Sequence, residues 1–516
     1  MPEAEGSART APEFDETFDV VVVGYGFAGG VSAIEAARSG AKVLLIEKMP
    51  DPGGISICSH GAICSTREPA KALEYMRATN AGRTRDDVLQ AFTRGMTEVE
   101  AYFRDLASIC DAEIFVRERG GNYPFPGIDA FYYTQVERIP NFDASQTYPN
   151  VRGRPGGPLV FKILQDNIAQ LPIEVRLSTK AKSLIANPDR QVCGIVIEGK
   201  GGEQRIKAQR GIVLACGGFE ANEEMKRQYW QMKPVLGAAT LANTGDGIRM
   251  AQELGAQLWH MWHFHGSYGF RHTDPDYPYA IRTKRFPDWI PGKEHLAVVQ
   301  TAWILVDRRG QRFMNELPPY VQDQGARHLE YFDSVTQTFP RIPAYLIVDE
   351  AGRRRYPLGN PTYNDRTMTF TWSRDNLKEV ELGILKKAAT IEELADKIGC
   401  DRAALAETVV RWNEMCLKRN DLDFGRPAGT MMPIAHSPFY VGEVWPVVSN
   451  TQGGPVHNAR QQIIDVNDNP IPRLYAAGEL GSSFGHLYLA GGNISECFVT
   501  GRIAGREVAA LASWNR

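Results

Sequence analysis

The chain has no CxxC pair: its eight cysteines, Cys58, Cys64, Cys110, Cys193, Cys216, Cys400, Cys416 and Cys497, are scattered along 516 residues. Zinc ribbons, iron–sulfur clusters and c-type haem attachment all need closely paired ligands, so none is expected, nor any other metal site. Scattered thiols in a long chain fit a reducing, cytoplasmic setting. No apolar run approaches the ~20 residues that span a bilayer, so no integral membrane segment is expected. The first 16 residues are polar and acidic and lack an apolar stretch, and they read as a disordered tail rather than a signal peptide. Net charge is −3, which provides no basic footprint for nucleic acid.

Glycine, by contrast, is abundant, with 49 residues, many in short clusters that let backbone approach a ligand. The first cluster follows Asp19–Gly24 (DVVVVG), a β-branched run suited to a buried parallel strand. Gly24-Tyr-Gly26-Phe27-Ala28-Gly29 then opens an Ala-rich helix, and a second strand, Ala41–Glu47, ends in an acid followed by Lys48. This is a dinucleotide fingerprint in its full context. Gly24 permits the turn, Gly26 the approach to pyrophosphate and Gly29 the helix–sheet packing, and Glu47 suits ribose hydroxyls.

Later segments extend the site. Gly53–Gly61 (GGISICSHG) supplies Gly53, Gly54, Ser56, Ser59 and Gly61. Gly211–Asn222 is a strand running into a turn with Ala215 and Gly217, and Asn243–Met250 (NTGDGIRM) is a turn with Gly245 and Asp246 before a helix. Leu474–Gly478 reads as a strand before Glu479, and a long helix runs from about Gly492 through Asn493 and Ile494 to the end. Helices are expected over 67–80, 85–107, 158–170, 391–398 and 402–419, and strands over 173–177, 191–197, 303–307 and 344–349. Gly121–Asn150 is aromatic and Pro/Gly-rich and reads as loops over a site. Composition changes near Trp259–Phe270, so residues 17–262 and 439–516 are assigned to a nucleotide-binding domain and 263–438 to an α+β insertion.

The motifs VVVGYGFAGG, GGISICSHG, IVLACGGFEAN, NTGDGI, GQRFMNELPPY, GGPVHNARQQIID, IPRLYAAGE and GHLYLAGGN resemble the fumarate reductase/succinate dehydrogenase flavoprotein superfamily over nearly the whole chain. In its reaction motifs the chain is most similar to the 3-ketosteroid Δ1-dehydrogenase branch, whereas NISECFVTGRIAG looks more like the fumarate reductase side. The resemblance implies an α/β fold, a Rossmann-like FAD-binding domain of the glutathione-reductase type with an inserted α+β substrate (cap) domain, and FAD as the dinucleotide. No Ser-His-Thr motif stands where succinate dehydrogenases tether flavin, and His60 is out of register, so non-covalent FAD is expected. Tyr488 stands where fumarate reductases carry a carboxylate-gripping arginine, and a phenol cannot replace a bidentate cation.

The same resemblance implies roles. Tyr488 and the N–H of Gly492 would hold a substrate ketone and favour its enolate. Tyr320, in Asn315-Glu-Leu-Pro-Pro-Tyr320, would be the base, with Leu317 replacing the family's serine. A free tyrosine has a pKa near 10, so tyrosinate stabilisation or a relay through Tyr132 or Tyr133 is needed. His260, His263 and His265 cluster with Trp259 and Trp262 and read as pocket lining or packing. His486 reads as packing or a structural hydrogen bond. Arg271, Arg282 and Arg285 read as a solvated charge run unless the substrate is an acid.

The expected activity is FAD-dependent α,β-dehydrogenation of a cyclic or steroid-like ketone. A fumarate-reductase-type ene-reductase is the alternative, and a flavin-carrying electron-transfer subunit is the alternative of another class. The expected partners are a small ketone or enone and an electron acceptor or donor, quinone-like or flavin-based.

Overall fold

The valine run of the first fingerprint forms the strand Glu16–Val23, whose Val20, Val21 and Val22 are fully buried. It pairs in parallel with Val43–Ile46 on one side and Gly202–Leu214 on the other. Ile173–Arg176 and Pro470–Ala476 extend the sheet, again in parallel. Strands covered on both faces need continuous apolar sequence, which residues 20–23 and Val43–Ile46 at the centre have. The computed structural model describes residues 13–286 and 300–514. Residues 1–12 of the expected tail lie outside the described residues, while its end joins the sheet: Asp15 N–H donates to the Arg205 carbonyl at 2.9 Å.

Gly202–Leu214 is longer than the apolar stretch predicted from Ile212. Its polar first half pairs antiparallel with Val192–Gly199, which in turn pairs with Lys180–Ala186. A second mixed sheet is organised around Phe439–Thr451, which is flanked by Ala344–Asp349 and Phe264–Phe270 and joined at its ends by Leu236–Gly237 and Leu385–Ala388. The expected return of the nucleotide-binding domain at 439 is therefore displaced, since the strand beginning there is the centre of the second sheet. Its alternation is masked because both faces are covered.

Part of the expected aromatic loop is also a strand. Phe131–Arg138 sits between Ile63–Thr66 and Glu113–Glu118 in a small antiparallel sheet. Successive side chains on a strand face opposite ways, so Tyr132 and Tyr133 are forced apart. The helix expected over 85–107 is two, Asp86–Gly95 and Val99–Ala107.

The first helix, Phe27–Arg38, packs along the last, Gly492–Ala509. A Cβ on Gly501 would lie 2.9 Å from the Ala28 carbonyl, and one on Gly505 2.5 Å from the Ser32 carbonyl. Position 501 meets 28 and position 505 meets 32, so the helices run parallel and their N-termini open at the same end. Gly505→Val would push a branched side chain into backbone, a form of overpacking that typically costs about 1–3 kcal/mol. A thermal melt several degrees below wild type is the expected outcome, and an unchanged melt would refute the packing argument.

Candidate active site

Both helix N-termini open on one cavity of about 920 Å³. Its walls come from the three larger sheets: Gly24 and Glu47 at strand ends of the first, Arg282 and Asn450 from the second, Phe115 and Tyr133 from the third. Of the sequence-predicted cofactor residues, Gly24, Gly26, Phe27, Ala28, Glu47, Lys48, Gly54, Ser56, Ser59, Ala215, Gly217, Asn243, Asp246, Glu479, Asn493 and Ile494 line it. Gly29, Gly53, Gly61, Gly245 and Gly478 do not; they shape the backbone behind it. Gly24 has φ +102°, and a Cβ there would lie 2.5 Å from the Ala215 carbonyl.

The cavity fits a dinucleotide. At the start of the first helix the Phe27 amide donates to Ser56 Oγ at 3.3 Å, and the next amide with a backbone acceptor is that of Gly30, bonded to the Gly26 carbonyl at 3.0 Å. The preceding N–H groups of Ala28, which faces the Cys497 thiol, and Gly29 have no oxygen or nitrogen acceptor among the described residues, which suits a phosphate. Glu47 accepts from the amides of Tyr25 (3.0 Å) and Met49 (2.9 Å), which fix its carboxylate while lone pairs remain for ribose hydroxyls. Lys48 instead braces the wall: its ammonium donates to Thr244 Oγ1 (2.7 Å) and Asp246 Oδ2 (2.8 Å). Glu479 accepts from the Thr451 amide (2.8 Å), and Asn243 Nδ2 donates to Glu220 Oε1 (2.6 Å). Burial raises both carboxyls, and for Glu220 the charge of Glu479 adds to it. Both are thereby pushed toward the protonated form. Glu220, inside the GGFEAN motif, was missed by sequence reasoning.

At the far end, Tyr320 and Tyr488 lie with His265. The Tyr320 ring stacks on His265 (centroids 5.9 Å, 19°) and on Tyr488 (5.9 Å, 25°), and His265 lies 4.1 Å from the Tyr488 ring. All three line the cavity. The Tyr488 hydroxyl accepts from the Asn493 amide at 3.2 Å, which leaves its own proton to donate outward. The expected second donor is placed differently. Gly492 does not line the cavity, and its N–H is taken by the Leu489 carbonyl at 2.8 Å, closing a turn before the helix. The nearby amide acts on the tyrosine oxygen instead.

Tyr133 reaches the cavity and donates to the Ala490 carbonyl at 2.9 Å. Tyr132 points to the other face, where Arg67 stacks 3.9 Å from its ring centroid. Burial raises Tyr320 above the usual phenol range; Arg119, Arg282 and Arg285 pull it down and Asp323 pushes it up. Burial lowers His265 to about 4, so its ring is neutral. Its Nδ1–H donates to Asn450 Oδ1 at 3.0 Å, leaving Nε2 a buried acceptor without a partner among the described residues.

Residues that the sequence did not single out hold these groups. Asp323 is 1% exposed and accepts from the Tyr488 amide (3.0 Å) and the Tyr123 hydroxyl. Burial opposes its charge, but His263, Arg327 and Tyr123 hold it down at about 2. In GQRFMNELPPY the buried Glu316 accepts from Arg312 (2.9 and 3.1 Å) and Arg426 (3.2 Å), and Arg312 also clamps Asp421. His260 and His263 are structural: they bond the Ser482 and Phe484 carbonyls at 2.9 and 2.8 Å and so fix the loop before Tyr488. The His486 Nδ1 has no hydrogen-bond partner among the described residues, so packing against Trp262 is its role there. Arg271 is exposed as expected, but Arg282 and Arg285 are partly buried in the cavity wall rather than solvated.

The family whose model describes an FAD binding domain matches residues 19–494. The chain belongs to that family, FAD is its cofactor, and it has the fold of FAD-dependent oxidoreductases. A probable fumarate reductase, Ifc3, of Shewanella frigidimarina is 28% identical over 505 residues, covering 96% of this chain and 75% of that protein. A 3-oxosteroid 1-dehydrogenase of Mycolicibacterium smegmatis is 27% identical over 593 residues, covering 97% of this chain and 99% of that protein. The crystal structure of 3-ketosteroid Δ1-dehydrogenase from Sterolibacterium denitrificans, in complex with 1,4-androstadiene-3,17-dione, superposes with TM-score 0.80 at 22% identity over 96% of this chain and 100% of that one, a likeness of fold. No helix among the described residues is long and apolar enough to cross a membrane.

Glu496, at the start of the last helix, accepts from Ser482 Oγ (2.7 Å), the Ser483 amide (2.6 Å) and Asn493 Nδ2 (3.1 Å). Burial raises it from 4.5 to about 7. The folded state then binds its proton more tightly than the unfolded state. That contribution to stability is complete below pH ~4.5 and is lost as pH rises through ~7. Glu496→Gln stays neutral throughout, so its melting temperature relative to wild type should improve from pH 5 to pH 8. A difference independent of pH would contradict a buried, protonated Glu496.

Proposed function

We propose that the chain is an FAD-dependent oxidoreductase acting on the CH–CH bond next to a ring ketone, with α,β-dehydrogenation as the forward reaction. The observation that carries this reading is the pair of stacked tyrosines at the end of the cofactor cavity. Tyr488 holds its hydroxyl oxygen against the Asn493 amide, which directs its proton to a ketone oxygen and favours enolate character. Tyr320, 5.9 Å away ring to ring, accepts the α-proton. The arginine charges around it favour the phenolate that this requires. When bound, FAD supplies the two-electron acceptor for the β-hydride. The neutral Nε2 of His265 is left to accept a hydrogen bond from substrate or from a tyrosine. With no covalent attachment expected, acid precipitation should release the flavin.

The reverse reaction, reduction of an enone, uses the same groups with Tyr320 as acid. The net upward shift of the Tyr320 phenol favours that direction. A flavin-carrying subunit without chemistry of its own would expose its flavin and lack a pocket between the sheets. The walled cavity of about 920 Å³ argues against it.

Tyr320→Phe removes the proton carrier. Anaerobic flavin bleaching by androst-4-ene-3,17-dione or a simple cyclohexanone, and reoxidation of reduced enzyme by the matching enone, are both expected to slow about 10²–10⁴-fold. Unchanged rates in both directions would sink the assignment of Tyr320.

A further inference from the structure

Among the described residues no carboxylate pairs with Arg282 or Arg285. Arg282 lies on the short strand Ile281–Thr283, where Ile281 is fully buried and the next side chain faces the opposite way. Its guanidinium lines the cavity, and its Nε is buried with no hydrogen-bond partner. Arg285 lines the same wall, and Arg119 and Arg117 enter from the third sheet, spaced two residues apart on one face with Phe115. The nearby acids are already engaged: Asp323 holds the Tyr488 amide, Tyr123 and His263, and Glu316 holds Arg312 and Arg426.

Taking a guanidinium out of water without a counter-charge is costly. Burial, helped by the charge of the neighbouring Arg154, lowers Arg282 to about 10. Several cations held together are stable when an anion joins them. FAD's pyrophosphate is not that anion, because its donors stand at Ala28 and Gly29, whereas Arg119, Arg282 and Arg285 act on the Tyr320 hydroxyl at the other end.

We propose that Arg282 and Arg285, with Arg119 beside them, form a carboxylate-binding subsite, so that the substrate is a ring ketone bearing an acid group away from the reacting bond. The inference rests on the ketone reading of the two tyrosines and adds the second anchor of the substrate. A planar guanidinium fork matches a carboxylate in two parallel hydrogen bonds. The ketone end is gripped by Tyr488, where no cation stands. The acid therefore binds on the second sheet's side, and the two anchors fix which carbon faces Tyr320.

The test compares 4-oxocyclohexane-1-carboxylate with its methyl ester. Wild type should prefer the acid in kcat/KM. Arg282→Met should lower kcat/KM for the acid roughly 30-fold or more beyond its effect on the ester, mostly through KM. Arg282→Lys should recover part of that loss. Acid and ester used equally well by wild type, or lost equally in the variant, would overturn the proposal. Binding is read separately by titrating cyclohexanecarboxylate, and the neutral cyclohexanecarboxamide, into the FAD-loaded protein and following the flavin spectrum. Saturable binding of the carboxylate alone, weakened in both Arg282→Met and Arg285→Lys, supports the subsite even if no ketone is oxidised. In that event only the ketone reading falls. Equal binding of acid and amide overturns the subsite. Flavin content and melting temperature of each variant separate these effects from misfolding.

Discussion

The site depends on the close, parallel contact between the first and last helices. With hydrogen at positions 501 and 505, the last helix lies against the carbonyls of Ala28 and Ser32. Two chain segments more than 450 residues apart thereby place their N-termini side by side. One end carries the amides of Ala28 and Gly29. The other carries the Asn493 amide, bonded to the Tyr488 hydroxyl. The positive ends of both helix dipoles converge on the same cavity, where a dinucleotide phosphate and an electron-rich oxygen each gain from them. Packing density and electrostatics are thus set by one contact.

Around that frame, buried charges position the tyrosines without touching the reacting centre. Asp323 fixes the Tyr488 backbone and sits three residues after Tyr320, so a single carboxylate ties both phenols to one reference. Glu316, between Arg312 and Arg426, fixes the loop that leads into Tyr320. Breaking such a buried pair by removing one partner costs about 3–5 kcal/mol, far more than an exposed ion pair. The NE of GQRFMNELPPY is therefore scaffold, and the tyrosine at its end lines the cavity.

The sequence made the first βαβ unit legible because its evidence is local: a β-branched run, three glycines at fixed spacing and an acid at the next strand end. The family motifs carried the remaining cofactor wall and the two tyrosines. What stayed hidden is non-local. Glycine at 501 and 505 reads as ordinary helix composition until the partner helix is known. Phe131–Arg138 sits in a Pro/Gly-rich region whose turns dominate the pattern, so its strand, and with it the choice between Tyr132 and Tyr133, required the neighbours Ile63–Thr66 and Glu113–Glu118. The Tyr-x-x-x-Gly spacing points to position 492, but spacing does not tell which amide is free: the Leu489 carbonyl takes that of Gly492, and it is the Asn493 amide that meets the Tyr488 hydroxyl. Arg282 and Arg285 looked solvated because charge runs usually are; Arg282 instead lies on a short strand of the second sheet, and both line the cavity.

The distribution of charge then links site and chemistry. Fumarate reductases are expected, from the resemblance, to meet a carboxylate with arginine at the position of Tyr488. Here the position is a phenol, 4.1 Å from a neutral histidine, and the guanidinium groups of Arg119, Arg282 and Arg285 line the same cavity and act on Tyr320. A neutral donor on the reacting carbonyl and cations at a distance do different work. In the proposed reaction the phenol stabilises charge only as it develops on the ketone oxygen, whereas the arginines of the proposed subsite bind charge that is present from the start. Interactions that strengthen in the transition state raise kcat, and those made equally in the ground state set KM. On the proposed reading, the two kinds of group divide the work: the arginines hold the substrate's acid and favour ionisation of Tyr320, while the neutral phenol of Tyr488 leaves the charge on the ketone oxygen to be built by the reaction.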